Sequence, residues 1–136
     1  MKLKTKLRLA LTFLFAVILL LGGLSAWYLK KLSQEAQGIL KDNYISLEYA
    51  HHMRDVIDSN NWNEEDFRIF ENNLRQQEQN LTEVGEAALT QELRAHFNAF
   101  KQTPDSSRLQ LMNRQLSQIT DINMQAISRK IGRAHV

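Results

Sequence analysis

The sequence predicts an all-α chain, an N-terminal transmembrane helix continuous with an antiparallel up-down four-helix bundle. Three observations predict it. Leu9 to Tyr28 carries no charge, between a basic cluster at Lys2, Lys4, Lys6 and Arg8 and a second at Lys30 and Lys31. Beyond it, apolar residues recur at three- and four-residue steps, the period of a helix with one buried face. Glycine and proline are scarce, five and one in 136 residues, so breaks between helices are few and stand out. No alternating Val/Ile/Thr run and no Asn-Gly or Asp-Gly pair argues for strands.

Residues 1–8 read as a cytoplasmic basic flank and 9–28 as the membrane span. Twenty helical residues at about 1.5 Å each cover roughly 30 Å, the hydrocarbon thickness of a bilayer. The four early cations hold the N-terminus in the cytoplasm. The chain is thereby placed in the inner membrane as a single-pass protein, with the remainder periplasmic or otherwise extracytoplasmic. Trp27, Tyr28, Lys30 and Lys31 stand where an interfacial belt on the far side is expected. The competing reading is a secretory signal cut after Ser25; the apolar run is longer than the usual core of about 7–15 residues, and helix-forming sequence continues through Leu29 to Leu32.

Charge separates the two parts. Residues 1–31 hold six basic groups and no acidic one, leaving eleven basic and fifteen acidic groups beyond. The basic balance of the whole chain belongs to the flank, and no nucleic-acid partner is expected. Zero cysteines exclude disulfides and thiolate metal sites.

Residues 29–130 read as the bundle. The first helix extends to about Asp58, with Leu32, Ala36, Ile39, Leu40, Leu47, Ala50, Met53 and Ile57 as its apolar stripe. Ser59-Asn60-Asn61 breaks it, and Asn63 caps a second helix whose first turn holds Glu64, Glu65 and Asp66. Phe67, Phe70, Leu74 and Leu81 mark that helix's buried face; Trp62, in the membrane-distal turn, is expected to cap the bundle end, the alternative being an exposed contact residue. After Thr82-Glu83-Val84-Gly85, a third helix over about Glu86–Lys101 turns Leu89, Leu93, Phe97 and Phe100 inward. Pro104 and the N-cap Asp105 start the fourth, with Leu109, Met112, Leu116, Ile119, Ala126 and Ile127 along one side and Asn123 as a polar gap. Connections this short make neighbours antiparallel, so the fourth helix heads back towards the membrane.

The last six residues, Ile131-Gly132-Arg133-Ala134-His135-Val136, match the translation of a common sequencing adapter, ATCGGAAGAGCACACGTC, whose next codon is a stop. Residues 131–136 are therefore read as adapter, and the parent protein is expected to continue past Arg129 into a second span.

No catalytic constellation is present: no G-x-S-x-G, Walker A or H-E-x-x-H, and no cofactor or metal is called for. His51 and His52 lie about 100° apart on a helix and cannot chelate one ion from one face. Asn80-Leu81-Thr82 forms a glycosylation triplet by chance. The candidate ligand-binding residues are Tyr44, His51 and Arg54, on the membrane-distal half of the first helix across an expected homodimer seam. A guanidinium there suits a small carboxylate or phosphate-like anion. The plainer alternative is an i,i+4 ion pair of Arg54 with Asp58.

Several strings carry a resemblance: Met1-Lys2-Leu3-Lys4-Thr5-Lys6-Leu7, Leu19–Gly23, Ile39-Leu40-Lys41-Asp42-Asn43-Tyr44 with Ser46-Leu47-Glu48-Tyr49, and Asn80-Leu81-Thr82-Glu83 with Gly85-Glu86. Through them, over residues 1 to about 130, the chain resembles the N-terminal sensor region of bacterial transmembrane histidine kinases with a four-helix-bundle extracytoplasmic domain. The resemblance implies a sensory fragment that detects an extracytoplasmic signal and relays it by helix displacement. It implies an ATP-dependent kinase as the parent, which would meet a response regulator only through C-terminal domains not in this sequence. The phosphoacceptor pattern His-Glu-x-x-x-Pro does not occur, so no enzyme activity is expected of this fragment. The alternatives are the ligand-binding module of a methyl-accepting chemoreceptor and a membrane-tethered structural bundle.

Overall fold

A computed structural model describes residues 2–134; His135 and Val136, the end of the expected adapter tail, lie outside them. Among the described residues, all regular structure is helical: α1 (Leu3–Ser59), α2 (Glu64–Gln79), α3 (Glu86–Gln102) and α4 (Ser106–Ala134). The chain divides into two compact units, Met1–Gln37 and Gly38–Val136.

The first unit is helical from Leu3 onward. Its side chains from Leu9 to Tyr28 are almost all exposed, and α1 is the described helix long and apolar enough to cross a membrane. A surface of Leu, Phe and Ile facing outward is what lipid solvates and water does not. Lys31 Nζ lies 5.8 Å from the Trp27 ring centroid, one turn away, so the cation and the aromatic occupy one patch.

The second unit is the four-helix bundle. Contacts between Glu86 and Asn123 and between Glu92 and Gln115 run α3 and α4 antiparallel. Contacts between Gln77 and Glu86 and between Glu71 and Lys101 do the same for α2 and α3. Helix starts follow their caps. Asn63 Oδ1 accepts from the Asp66 amide at 2.9 Å while Asp66 Oδ2 accepts from the Asn63 amide at 3.2 Å, a reciprocal capping box. Asp105 accepts from the Ser107 amide at 3.2 Å at the head of α4. Gly85, just before α3, has φ +89°, a conformation that L side chains rarely adopt.

Phe70, Leu74, Leu93, Phe97, Phe100, Met112, Leu116 and Ile119 are buried as the periodicity predicts, and Phe67 is half-buried against them. At the α1–α2 end, Trp62 closes the core, its ring 4.6 Å from Phe100, 5.1 Å from Phe67 and 5.8 Å from Phe70. Trp62 holds φ +42°, a strain of order 1–3 kcal/mol, and these aromatic contacts compensate it.

Two expectations about the core need correction. Leu81 is exposed. The helix ends at Gln79 with Asn80 as its C-cap, so Leu81 is past the helix and its phase no longer points inward. On α1, Leu32, Ala36 and Ile39 are exposed, and Leu40 and Leu47 are only half-buried. The buried positions are Asn43, Ser46, Ala50, Met53, Val56 and Ile57. Five of these, omitting Val56, step by three and four along one seam, a seam that begins with polar residues.

Candidate functional site

Helical phase puts Tyr44 and His51 on one face of α1, and both are exposed. His51 Nε2 lies 3.5 Å from Asp55 Oδ2, one turn on. Arg54 is rotated away from them towards α4 and half-buried, where its Nη2 donates to Ser117 Oγ at 2.9 Å. Its Nε is buried without a partner. The ion pair with Asp58 that the spacing allows is not formed; among the described residues Arg54 pairs with no carboxylate. Tyr44 and His51 thus share a strip, while Arg54 belongs to the α1–α4 seam. Charge-assisted hydrogen bonds to carboxylate or phosphate are the strongest a guanidinium makes, and this one makes none within the described bundle. His52 lies elsewhere, with Asp55, Val56, Ser59, Asp66, Ile69 and Asn73 around a groove of about 440 Å³ between α1 and α2.

The most elaborate polar site is one that sequence reasoning missed. It lies where α1 enters the bundle, around the turn from α2 to α3. Glu86, the first residue of α3, is fully buried. Its Oε1 accepts from Gln77 Nε2 at 2.7 Å and from Asn123 Nδ2 at 2.8 Å. Its Oε2 accepts from the backbone amides of Thr82 at 2.9 Å and Glu83 at 3.1 Å. Burial pushes the Glu86 pKa up, but the bonds from Asn123, the Thr82 and Glu83 amides and Gln77 together outweigh it and hold the carboxyl below its ordinary range. All of those donors are neutral, so the charge is solvated by dipoles alone.

The same turn grips α1 and α4. Asn43 Nδ2 donates to Glu83 Oε1 at 3.0 Å, and Thr82 Oγ1 donates to Asn43 Oδ1 at 2.6 Å. Asn80 Nδ2 donates to the Asp42 carbonyl at 2.8 Å and to Ser46 Oγ at 2.9 Å. From α4, Lys130 Nζ reaches Glu83 at 3.3 Å and Arg129 reaches it at 3.7 Å. Gln77 and Asn123 spend their amide nitrogens on Glu86, which leaves Gln77 Oε1 and Asn123 Oδ1 buried without partners. The available signal in the sequence was Asn123, the polar gap in the α4 stripe.

A protein family described as a four helix bundle sensory module for signal transduction matches the chain over residues 1–121. No curated protein and no solved structure matches it.

Proposed function

As this chain belongs to the family of four-helix-bundle sensory modules for signal transduction, we propose that it is the N-terminal sensory part of a membrane-bound two-component histidine kinase. The bundle lies outside the inner membrane with the N-terminus inside, detects a signal there, and relays it by displacing α1 relative to α4. The observation that carries the reading is that α1 runs as one helix, Leu3–Ser59, from the apolar segment into the bundle. Displacement of such a helix along its axis needs no separate transmission device. A ligand that binds two packings with different free energies biases a shift of about 1–2 Å.

The ligand class we assign is a small carboxylate or phosphate-like anion at Arg54, with Tyr44 and His51 on the separate exposed strip of α1 that would meet a second copy of the chain. The unneutralised guanidinium supports this assignment. Arg54→Ala in the full-length parent is expected to lower sensitivity to the anion by tenfold or more, the loss that accompanies a charge-assisted hydrogen bond of about 1.5–3 kcal/mol. An unchanged response at normal expression would remove Arg54 and the anion with it.

The choice of a kinase rests on the resemblance of the local strings; a chemoreceptor module fits the same family. The parent gene beyond Arg129 decides between them. A second span followed by His-Glu-x-x-x-Pro supports the kinase, and long methylatable heptads support the chemoreceptor. Absence of a second span would leave only a tethered bundle.

A further inference from the structure

Apolar layers in a helical bundle tolerate more than one axial register, because one Leu or Ile fits a neighbouring hole nearly as well. A buried polar residue does not, since its partner must be at hydrogen-bond distance. This bundle has apolar layers in its middle, with Leu93, Phe97, Met112, Leu116 and Ile119 buried. At one end its only fully buried carboxylate among the described residues, Glu86, takes a donor from α2 and a donor from α4.

We propose that the Asn80–Glu86 turn is a register clasp: it holds α1 through Asn43 and Ser46 and α4 through Asn123, and Glu86 fixes the resting axial position of α4. Asn43 and Ser46 meet Thr82, Glu83 and Asn80, while Asn123 meets Glu86 only a few residues away. Each of the two helices is thus referred to the same short turn. A shift of α4 by about 1–2 Å stretches and bends the 2.8 Å bond from Asn123. It weakens one of the four close donors that solvate a charge with no cation beside it. The orphaned carbonyls of Gln77 and Asn123 keep the layer from being over-stabilised, as suits an element that must yield to a signal. What the clasp gates rests on the displacement reading above; that it sets the register does not.

The absence of cysteine lets the full chain be spin-labelled cleanly. Val84 and Met124 are both exposed, Val84 almost entirely, so Val84→Cys with Met124→Cys reports the distance between the turn and α4. Asn72→Cys with Ala95→Cys, on exposed positions of α2 and α3, serves as the internal reference. In reconstituted protein the 84–124 pair is expected to give one narrow distance distribution. Asn123→Ala and Glu86→Gln are each expected to widen it at least twofold or to move its centre by about 1–2 Å, with the 72–95 pair unchanged. If Glu86→Gln loses its helicity, Asn123→Ala decides, because it leaves Gln77 and both turn amides on Glu86. An unchanged 84–124 distribution in Asn123→Ala overturns the clasp. Loss of the fold in Asn123→Ala also overturns it, because a register device must be separable from the fold. No ligand or downstream output enters the measurement, so its failure is distinct from failure of the sensory reading.

Discussion

Phe97→Ala is expected to cost about 3–5 kcal/mol, a large share of the roughly 5–15 kcal/mol that holds a domain of this kind together. Phe97 is fully buried, stacks on Phe70 with centroids 4.4 Å apart, and stands 6.3 Å from Phe67 and 6.5 Å from Trp62. Truncation removes the ring on which α2, α3 and the α1–α2 connection converge. Neighbouring helices relax only partly into such a cavity, so the transfer and cavity costs add. Lys101 Nζ, 4.8 Å from the Phe97 centroid, loses its ring as well. Chemical denaturation of the full chain, followed by helical circular dichroism, should show the midpoint falling sharply. Leu81→Ala should stay within about 0.5 kcal/mol, because Leu81 is exposed. Equal losses in the two variants would mean that the core is misplaced.

Glu86→Gln is expected to produce the second large effect, with a pH signature. The amide group that replaces one oxygen is a donor and faces donors: Gln77 and Asn123 on one side, or the Thr82 and Glu83 amides on the other. Each buried donor left unmet costs about 1–3 kcal/mol. Because the folded-state pKa of Glu86 is lowered from the ordinary 4.5, its stabilisation is fully present above that value. It is lost as pH falls through the lower folded-state pKa. The stability difference between wild type and Glu86→Gln should therefore be constant from neutral pH down to about 4.5 and shrink below it. Glu71, whose burial is outweighed by Arg94 and Lys101 so that its pKa is also lowered, is common to both proteins and cancels. A difference that grows below that pH would contradict the buried, dipole-solvated carboxylate.

The helices were legible because their signals are local. Asn63 and Asp105 fix two starts within a few residues of chain, and the three- and four-residue spacing within Phe70–Leu74, Leu93–Phe97–Phe100 and Met112–Leu116–Ile119 fixes the faces. The α1 face was misread for a physical reason. Its buried seam, Asn43, Ser46, Ala50, Met53 and Ile57, opens with two polar residues, and an apolar pattern followed alone drifts to the adjacent phase of Leu40 and Leu47. The membrane-side continuation, Leu32 to Ile39, is exposed. The clasp was illegible because its bonds join residues 34 to 40 positions apart, as Asn43 to Glu83 and Ser46 to Asn80. Asn, Thr and Glu in a turn ordinarily face water. The alternative Arg54–Asp58 ion pair fails similarly: the i,i+4 rule offers Asp58, but the partner Arg54 finds, Ser117, lies 63 residues away. The strings that carry the family resemblance contain Asn43, Ser46, Asn80, Thr82, Glu83 and Glu86, the residues that α1 and the turn contribute to the clasp.

The proposed topology, with the bundle outside the membrane and the basic flank inside, is tested directly by cysteine accessibility in intact cells. The chain supplies a cysteine-free background, with Asn60 exposed in the α1–α2 connection and Leu3 at the head of α1. A membrane-impermeant maleimide is expected to label Asn60→Cys in intact cells and to label Leu3→Cys only after the membrane is permeabilised. Labelling of Leu3→Cys in intact cells, with Asn60→Cys silent until permeabilisation, would contradict an extracytoplasmic sensor.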